Sequence, residues 1–469
     1  MLPRFALLIP LVLFVANAAG QTFNRDIAPI LHARCAGCHH AGEVAPFPLV
    51  TYEDSRSKAK LIAEVTRNRV MPPWQPEPGF AHFAGERRLS VGEIRLIAQW
   101  AARGAPEGSG VAPKPPVFPS SGGWQSGQPD LVVELPEAFD VPAEGSDVYQ
   151  CFVVAMNLPS DKFVRAVEFR PSNRRIVHHA LLFTDASRIR REPSYPCFGT
   201  IGLLPTQGLG GWSPGNAAIR MPDGAAVPVA QGSRLVAQVH YHPSGKPERE
   251  QWSAGFYFTD QAPVRRVVDV GLASRIIDIP AGDPHYVVKQ QFTIPIAVDA
   301  IGIIPHAHLL CREMRGWAIL PNGKKQWLLN IKRWDFNWQD QFRYEKPIRL
   351  PADTTIQMEF VYDNSAANPH NPHSPPQRVV AGPGINDEMA GLHVQSIPVH
   401  MEELPELGKA LWGAVMRSVG GSFYRLPPFP TLAKVPPLRQ RRIPWPRRKA
   451  LIYSVTMTSP VPRTNSKLS

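Results

Sequence analysis

Arg234-Leu235-Val236-Ala237-Gln238-Val239-His240-Tyr241 reads as a β-strand: apolar and β-branched residues crowd into one short run with turn residues on either side. The same texture recurs in LVVEL (131–135), GFYF (255–258) and IQMEFVY (356–362), between Pro, Gly, Asp and Asn turns. The 51 prolines among 469 residues argue against a mainly helical chain, because proline interrupts helices and central strands but suits turns. Residues 128–420 therefore read as all-β, in sandwiches. That stretch is too long for one ordinary sandwich, so a division is expected near residue 268.

The region before it has another texture. Residues 1–20 read as a secretory signal, with Arg4, an apolar run from Phe5 to Ala16 and a small-residue cleavage site at Ala16-Asn17-Ala18. The run is too short to span a bilayer, so a soluble protein exported to the periplasm or secreted is expected, with no transmembrane segment. Residues 21–112 read as a helical module. Ile27, Ile30 and Leu31 have helical spacing, and Ser90-Val91-Gly92-Glu93 is a capping box ahead of Ile94, Ile97, Ala98 and Ala101. Gly104 and Pro106 end that helix. Residues 113–127 read as a linker rich in Pro, Gly and Ser.

The formal charge of +12 is misleading. Ten Lys and Arg, with no Asp or Glu, lie in 425–469, which leaves +2 for the rest (12 − 10). The folded part is nearly neutral, and no nucleic-acid surface is expected. The basic, proline-rich tail from 421 to 469 reads as disordered. Of five cysteines, two belong to Cys35-Ala36-Gly37-Cys38-His39. Cys151, Cys197 and Cys311 remain; in an oxidising compartment a Cys151–Cys197 disulfide is reasonable, with Cys311 the odd thiol.

Cys-x-x-Cys-His lets two thioether bonds hold a porphyrin while the adjacent imidazole binds its iron. A zinc half-site and a redox dithiol are the rival readings, and neither needs His39 directly after Cys38. A sixth iron ligand should be Met or His. Met71, in RVMPPW, sits on a proline-stiffened loop and ranks above His40 and His82. The order helix, CAGCH, MPPW, helix resembles a class I c-type cytochrome over residues 21–112.

Six further residues read as ligands for two metal ions: His178 and His179 (IVHHALLF), His240 (AQVHYH), His306 and His308 (IPHAHLL) and Met389 (NDEMAGL). A thioether favours copper, above all Cu(I). On a strand, positions i and i+2 share a face, so His306 and His308 can reach one ion; the same holds for His240 and His242, either of which could bind. His178 and His179 are adjacent and need a bulged or twisted strand to meet.

The order HH-A-L-L-F, Q-V-H-Y, H-A-H, D-E-M, with DVYQCFVVAMNLP before it, resembles the copper type II, ascorbate-dependent monooxygenases, the family of peptidylglycine α-hydroxylating and dopamine β-monooxygenases. The resemblance covers residues 130–400. It implies that His178, His179 and His240 hold an electron-transfer copper, and that His306, His308 and Met389 hold the copper that meets O2. It further implies Gln238 beside the first site, a Cys151–Cys197 disulfide, and two jelly-roll-like sandwiches facing across a solvent-filled cleft. The family anchors a substrate carboxylate with Arg, Asn and Tyr at positions that here are Ile304, Gly391 and His393. An unpaired carboxylate there would be costly, so a more apolar or neutral substrate than peptidylglycine is expected.

The sequence thus leads to a multidomain chain. A small all-α cytochrome c domain (21–112) is followed by two all-β sandwich domains (128–268 and 269–420). Its cofactors are two copper ions and a covalently bound c-type haem. The expected activity is hydroxylation of a small-molecule C–H bond with O2, the haem relaying electrons from ascorbate or a redox protein. A non-catalytic haem and copper electron-transfer protein, and a zinc hydrolase, are the alternatives.

Overall fold

The computed structural model of the chain describes residues 20–418, apart from 119–122, 146, 188–191, 198–200, 202–206, 215–217, 223, 261–264, 275 and 383. The basic tail, and all but the last residue of the expected signal, lie outside the described residues.

Between residues 131 and 259 two antiparallel sheets share one core. The first runs Leu131–Glu134, Ser253–Thr259, Lys162–Arg170, Ile219–Arg220, with Val227–Val229 also on Lys162–Arg170. The second runs Ser194–Pro196, Val148–Ala155, Arg234–Tyr241, Val177–Asp185, Gln207–Trp212. Val133, Val164, Phe169 and Phe256 from one sheet meet Phe152, Ala180, Leu182 and Leu235 from the other. Strand alternation then sorts the residues of Arg234–Tyr241. Leu235, Ala237, Val239 and Tyr241 point into that core, while Val236 joins a small cluster around Cys151, Cys197 and Ile201. Both faces are covered, which is why this strand reads as a nearly unbroken apolar run. Gln238 and His240 lie on the face that carries the disulfide. Cys151 and Cys197 are bonded across a sequence separation of 46, a loop whose closure stabilises by about 4 kcal/mol on chain-entropy grounds.

Residues 268–398 build a second pair of sheets. Val268–Ser274, Ala390–Pro398, Val298–His306 and Phe342–Leu350 form one; Tyr286–Thr293, Thr355–Tyr362, Cys311–Ile319 and Lys325–Ile331 form the other. Val270, Ile303, Leu350 and Leu392 pack against Val288, Met314, Leu329 and Phe360.

The N-terminal segment corrects the sequence reading. The chain is mostly β-sheet, and among the described residues the α-helices are five short ones: Ala28–Arg34, Tyr52–Arg56, Ala59–Arg67, Val91–Ala102 and Leu404–Ser418. A separate all-α cytochrome domain is not what the chain forms. The capping box at Ser90 and Glu93 is present, and Phe23, Ile27, Leu31, Ile97 and Trp100 make a small apolar cluster. Residues 74–84, however, join the second pair of sheets. Pro76 bridges to Ile331 and Phe83 to Tyr344. Glu77 N–H donates to Asn330 O at 2.7 Å and Ala84 N–H to Arg343 O at 2.8 Å. Trp74 meets Phe342 edge-on at 5.5 Å, Phe83 stacks on Tyr344 at 5.2 Å, and Ala81 and Phe83 belong to the core of these sheets. The physical reason is size: so short a set of helices buries too little of its own surface to stand alone. No described helix is long and apolar enough to cross a membrane.

Phe83 is 1% exposed. Phe83→Ala is expected to destabilise the β-sheet core by about 3–5 kcal/mol, as for other buried Phe. Urea unfolding followed by tryptophan fluorescence measures it; a loss below about 1 kcal/mol would mean that residues 74–84 only rest on the surface.

Candidate functional site

The two adjacent histidines meet because their strand is bulged. His240 pairs with His179, yet the next residue, Tyr241, pairs with Val177, so His178 is an extra residue in the ladder. The core alternation breaks at the same point: Val177, Ala180 and Leu182 all face inward. A bulge of this kind re-aims a side chain, and here it turns His178 to the side of His179 and His240. Their ligand nitrogens all lie within 4.8 Å of one another. His178 Nδ1 is 3.2 Å from His179 Nδ1, and His240 Nδ1 is 3.4 Å from it.

These distances suit a shared ion. Metal–imidazole bonds of about 2.0–2.1 Å, at angles between tetrahedral and trigonal, place ligand nitrogens about 3.3–3.6 Å apart. Hydrogen bonding among the rings satisfies the cluster less well. His240 Nε2–H donates to Asp147 Oδ2 at 2.6 Å, so its Nδ1 carries a lone pair toward the cluster. A single Nδ1–H on His179 can serve only one neighbour, whereas a cation takes all three lone pairs. Asp147 also accepts from His242 Nδ1 at 2.7 Å, which answers the choice between His240 and His242: His240 faces the cluster, and His242 braces the far side of the carboxylate. Burial works to raise Asp147's pKa, but the bonds from both rings outweigh it and hold the group below the usual carboxylate range. Tyr149 stacks on His240 at 4.0 Å.

The second set presents its other nitrogens. His306 is the last residue of its strand and His308 lies in the turn beyond it, so the pair is not a regular i, i+2 strand pair. Their rings nevertheless meet, 5.3 Å apart at 85°. His306 Nδ1 pairs with Gln339 Oε1 at 2.7 Å, and His308 Nδ1 with Asp387 O at 2.9 Å. Both acceptors demand Nδ1–H, so both Nε2 atoms carry lone pairs. Met389 is drawn in by its backbone. Buried Glu388 accepts from His308 N and Met389 N through one oxygen and from Leu310 N through the other. Tyr362 OH donates to Met389 O at 2.7 Å. Burial pushes Glu388 up to about 8, against the pull of those N–H groups.

Burial also lowers the proton affinity of every ring in the two sets. His178 and His306 fall to about 4, chiefly through burial and then through His240 and His308 respectively. His179 falls well below the ordinary value, and His306 is near enough to add to that depression.

Beside the first set lies a cavity of about 210 Å³, lined by His178, His179, Trp74, Arg87, Gln339 and Asp340 among others. Cys38 feels the charges of Arg87 and Asp340, so the CAGCH turn lies close to the same wall. Cys35 and Cys38 are free and half-buried. Burial pushes Cys35 up to about 12 and raises Cys38 too, the opposite of a reactive dithiol. His39 Nδ1 pairs with Phe47 O at 2.9 Å, which leaves Nε2 for a ligand. Two unbonded thiols and an imidazole held through Nδ1 are the donor set that a covalently attached haem would use. Met71 is half-buried just after the Ala59–Arg67 helix, and His40 stacks on Phe118 at 3.8 Å.

Other expected residues fall elsewhere. The Gln238 amide donates to Cys197 O at 3.4 Å, so it braces the disulfide. Cys311 is a buried free thiol. Ile304 pairs across the sheet with His393, and His306 with Gly391, so the three positions that depart from the family pattern stand together beside His306. His393 itself pairs with Asp269 at 2.7 Å. Asp147 and Gln339 escaped the sequence reading; they lie 93 and 33 residues from the rings they hold, and no periodicity links them.

No protein-family model matches the chain, and no curated protein matches it. Among solved structures, the chain is similar to the major capsid protein P2 of bacteriophage PM2, at 8% identity over 57% of this chain and 97% of that one, with a TM-score of 0.26. It is also similar to the VP2 subviral particle of infectious bursal disease virus, at 9% identity over 60% and 72%, TM-score 0.18. TM-scores this low establish no common fold, so the functional reading rests on the chain's own residues.

Two outcomes test the first set. Asp147→Asn is expected to weaken copper binding there by about 10–100-fold, the usual cost of losing a partner that orients a ligand; competition against a chelator measures it, and unchanged affinity would release Asp147 from that role. The depressed imidazoles should also make copper affinity flat from about pH 8 down to about pH 5, falling only as protons compete near 4, whereas ordinary imidazoles would begin to lose metal near pH 6.5. A titration that falls steadily below pH 7 would contradict the depression.

Proposed function

We propose that this protein is a copper-dependent monooxygenase that hydroxylates a C–H bond of a small, apolar or neutral molecule with O2, its electrons entering through a covalently attached haem. The observation that carries the reading is the pair of imidazole sets. Three imidazole nitrogens converge in one, and in the other both Nδ1 atoms are held by acceptors, so that Nε2 is the nitrogen each ring would turn to a metal. The order of ligands along the sequence supports it independently.

Bound copper and haem would supply one-electron storage and oxygen activation. The chain's residues set the conditions. His178, His179 and His240 present neutral nitrogens, with Asp147 fixing the tautomer of His240. His306 and His308 present Nε2, and Met389 is the candidate thioether beside them. Glu388 ties the backbone of Met389 to that of His308, so ligand spacing is held by hydrogen bonds as well as by the sheet. Cys35 and Cys38 would tether the porphyrin and His39 would bind its iron, with Met71 the candidate second iron ligand. Ile304 and Gly391 offer no cation to a substrate carboxylate and His393 is engaged by Asp269, which favours a neutral substrate.

Oxygen uptake by the copper-loaded, reduced protein tests the reading. Met389→Ile is expected to lower uptake by more than about 10-fold while copper at the His178 set stays in place. Unchanged uptake would remove Met389 from the oxygen site. Metal analysis that found zinc and no copper would leave a hydrolase; copper and haem without product would leave an electron-transfer protein.

A further inference from the structure

The turn from Asp335 to Asp340 meets one ring of each imidazole set and the N-terminal residues 75 and 87. It joins the Lys325–Ile331 and Phe342–Leu350 strands and is stiffened from within: Asn337 N–H donates to Asp335 Oδ1 at 2.9 Å, and Trp338 N–H to Asp335 O at 3.0 Å. Gln75 Nε2, on the segment after the Ala59–Arg67 helix, donates to Asp335 O at 2.8 Å and to Trp338 O at 3.0 Å. Arg87 Nη2 pairs with Asp340 Oδ2 at 2.7 Å, with both side chains largely buried. The backbone of Asn337 bonds the His178 ring. Gln339 Oε1 holds His306 Nδ1. Residues 337–340 also form one wall of the cavity that His178 and His179 line. The Gln341 side chain at the turn's end reaches Gly211 of the first pair of sheets.

We infer that Asp335–Asp340 is a coupling element that fixes residues 74–87 and both imidazole sets to one backbone turn, with Gln339 and Asp340 as positioning residues. The inference rests on the proposed function for what is coupled, but its geometry stands apart from it. Gln339 acts through His306: its carbonyl oxygen forces Nδ1–H and so aims Nε2 outward. Asp340 acts through Arg87, which also lies over Trp74 at 5.5 Å, and so holds residues 74–87 against the cavity wall. Misplacement by even about 1 Å at such a junction is enough to cost large factors in rate.

The test uses the full-length protein, loaded with copper and haem, and the variants Gln339→Leu, Gln339→Glu, Asp340→Ala and Asp340→Asn. Gln339→Leu should alter the electron paramagnetic resonance of one of two cupric ions, and Gln339→Glu, which keeps an acceptor, should restore it. Asp340→Ala should slow the passage of an electron from ferrous haem to cupric ion by about 10-fold or more, with haem absorption and copper content unchanged and Asp340→Asn between. On the metal-free chain, Asp340→Ala should raise amide hydrogen exchange across residues 75–84. Unchanged resonance in Gln339→Leu, or unchanged exchange in Asp340→Ala, would overturn the coupling role even if the protein proves to be an oxygenase. A chain that binds neither copper nor haem, yet shows the rise in exchange, would keep the coupling element and sink the proposed function.

Discussion

One irregularity in one strand governs the first imidazole set. A regular strand sends neighbouring side chains to opposite faces, so His178 would point into the apolar core while His179 pointed out of it. The extra residue at His178 cancels that alternation, and the cross-strand pairing of His240 with His179 completes the set. Burial then strips water from the rings and lowers their proton affinity, which leaves them as neutral nitrogen donors. Asp147, with one oxygen for His240 and the other for His242, orients the ring that the bulge does not control.

The same economy of partners recurs at the second set. Gln339 and Asp387 O each take an Nδ1–H, while Glu388 gathers backbone N–H groups from both sides of the site. Hydrogen bonds decide which nitrogen each ring offers, and the choice is opposite in the two sets. A carboxylate, an amide and a carbonyl therefore matter as much as the imidazoles. The turn from Asp335 to Asp340 carries that logic outward, since one short segment meets the helical N-terminal segment, His178 and His306.

Part of this was legible in the chain alone. The strand texture was readable because β-branched and aromatic residues in short runs between turns have few other uses, and the Cys151–Cys197 pair was expected from an oxidising compartment and from the family resemblance. The capping box at Ser90 and Glu93 was local, and so was visible. The N-terminal region was misread because its helical signals are local while its fate is not. Trp74, Ala81 and Phe83 look like core residues of any small module, and nothing in their own neighbourhood says that their core is shared with Phe342 and Tyr344, far along the chain.

The amino-acid sequence by itself determined which residues have ligand chemistry, their order, and the neutral charge of the surroundings at Ile304 and Gly391. Tertiary structure alone decided that His178 turns to the side of His179 and His240, that Gln238 serves the disulfide, that the helices do not form a domain of their own, and that Asp147 and Gln339 hold the rings. The physical reason is reach. Side-chain chemistry and strand periodicity are written within a few residues, whereas tautomer, pairing register and shared burial depend on partners that only folding brings within hydrogen-bonding distance.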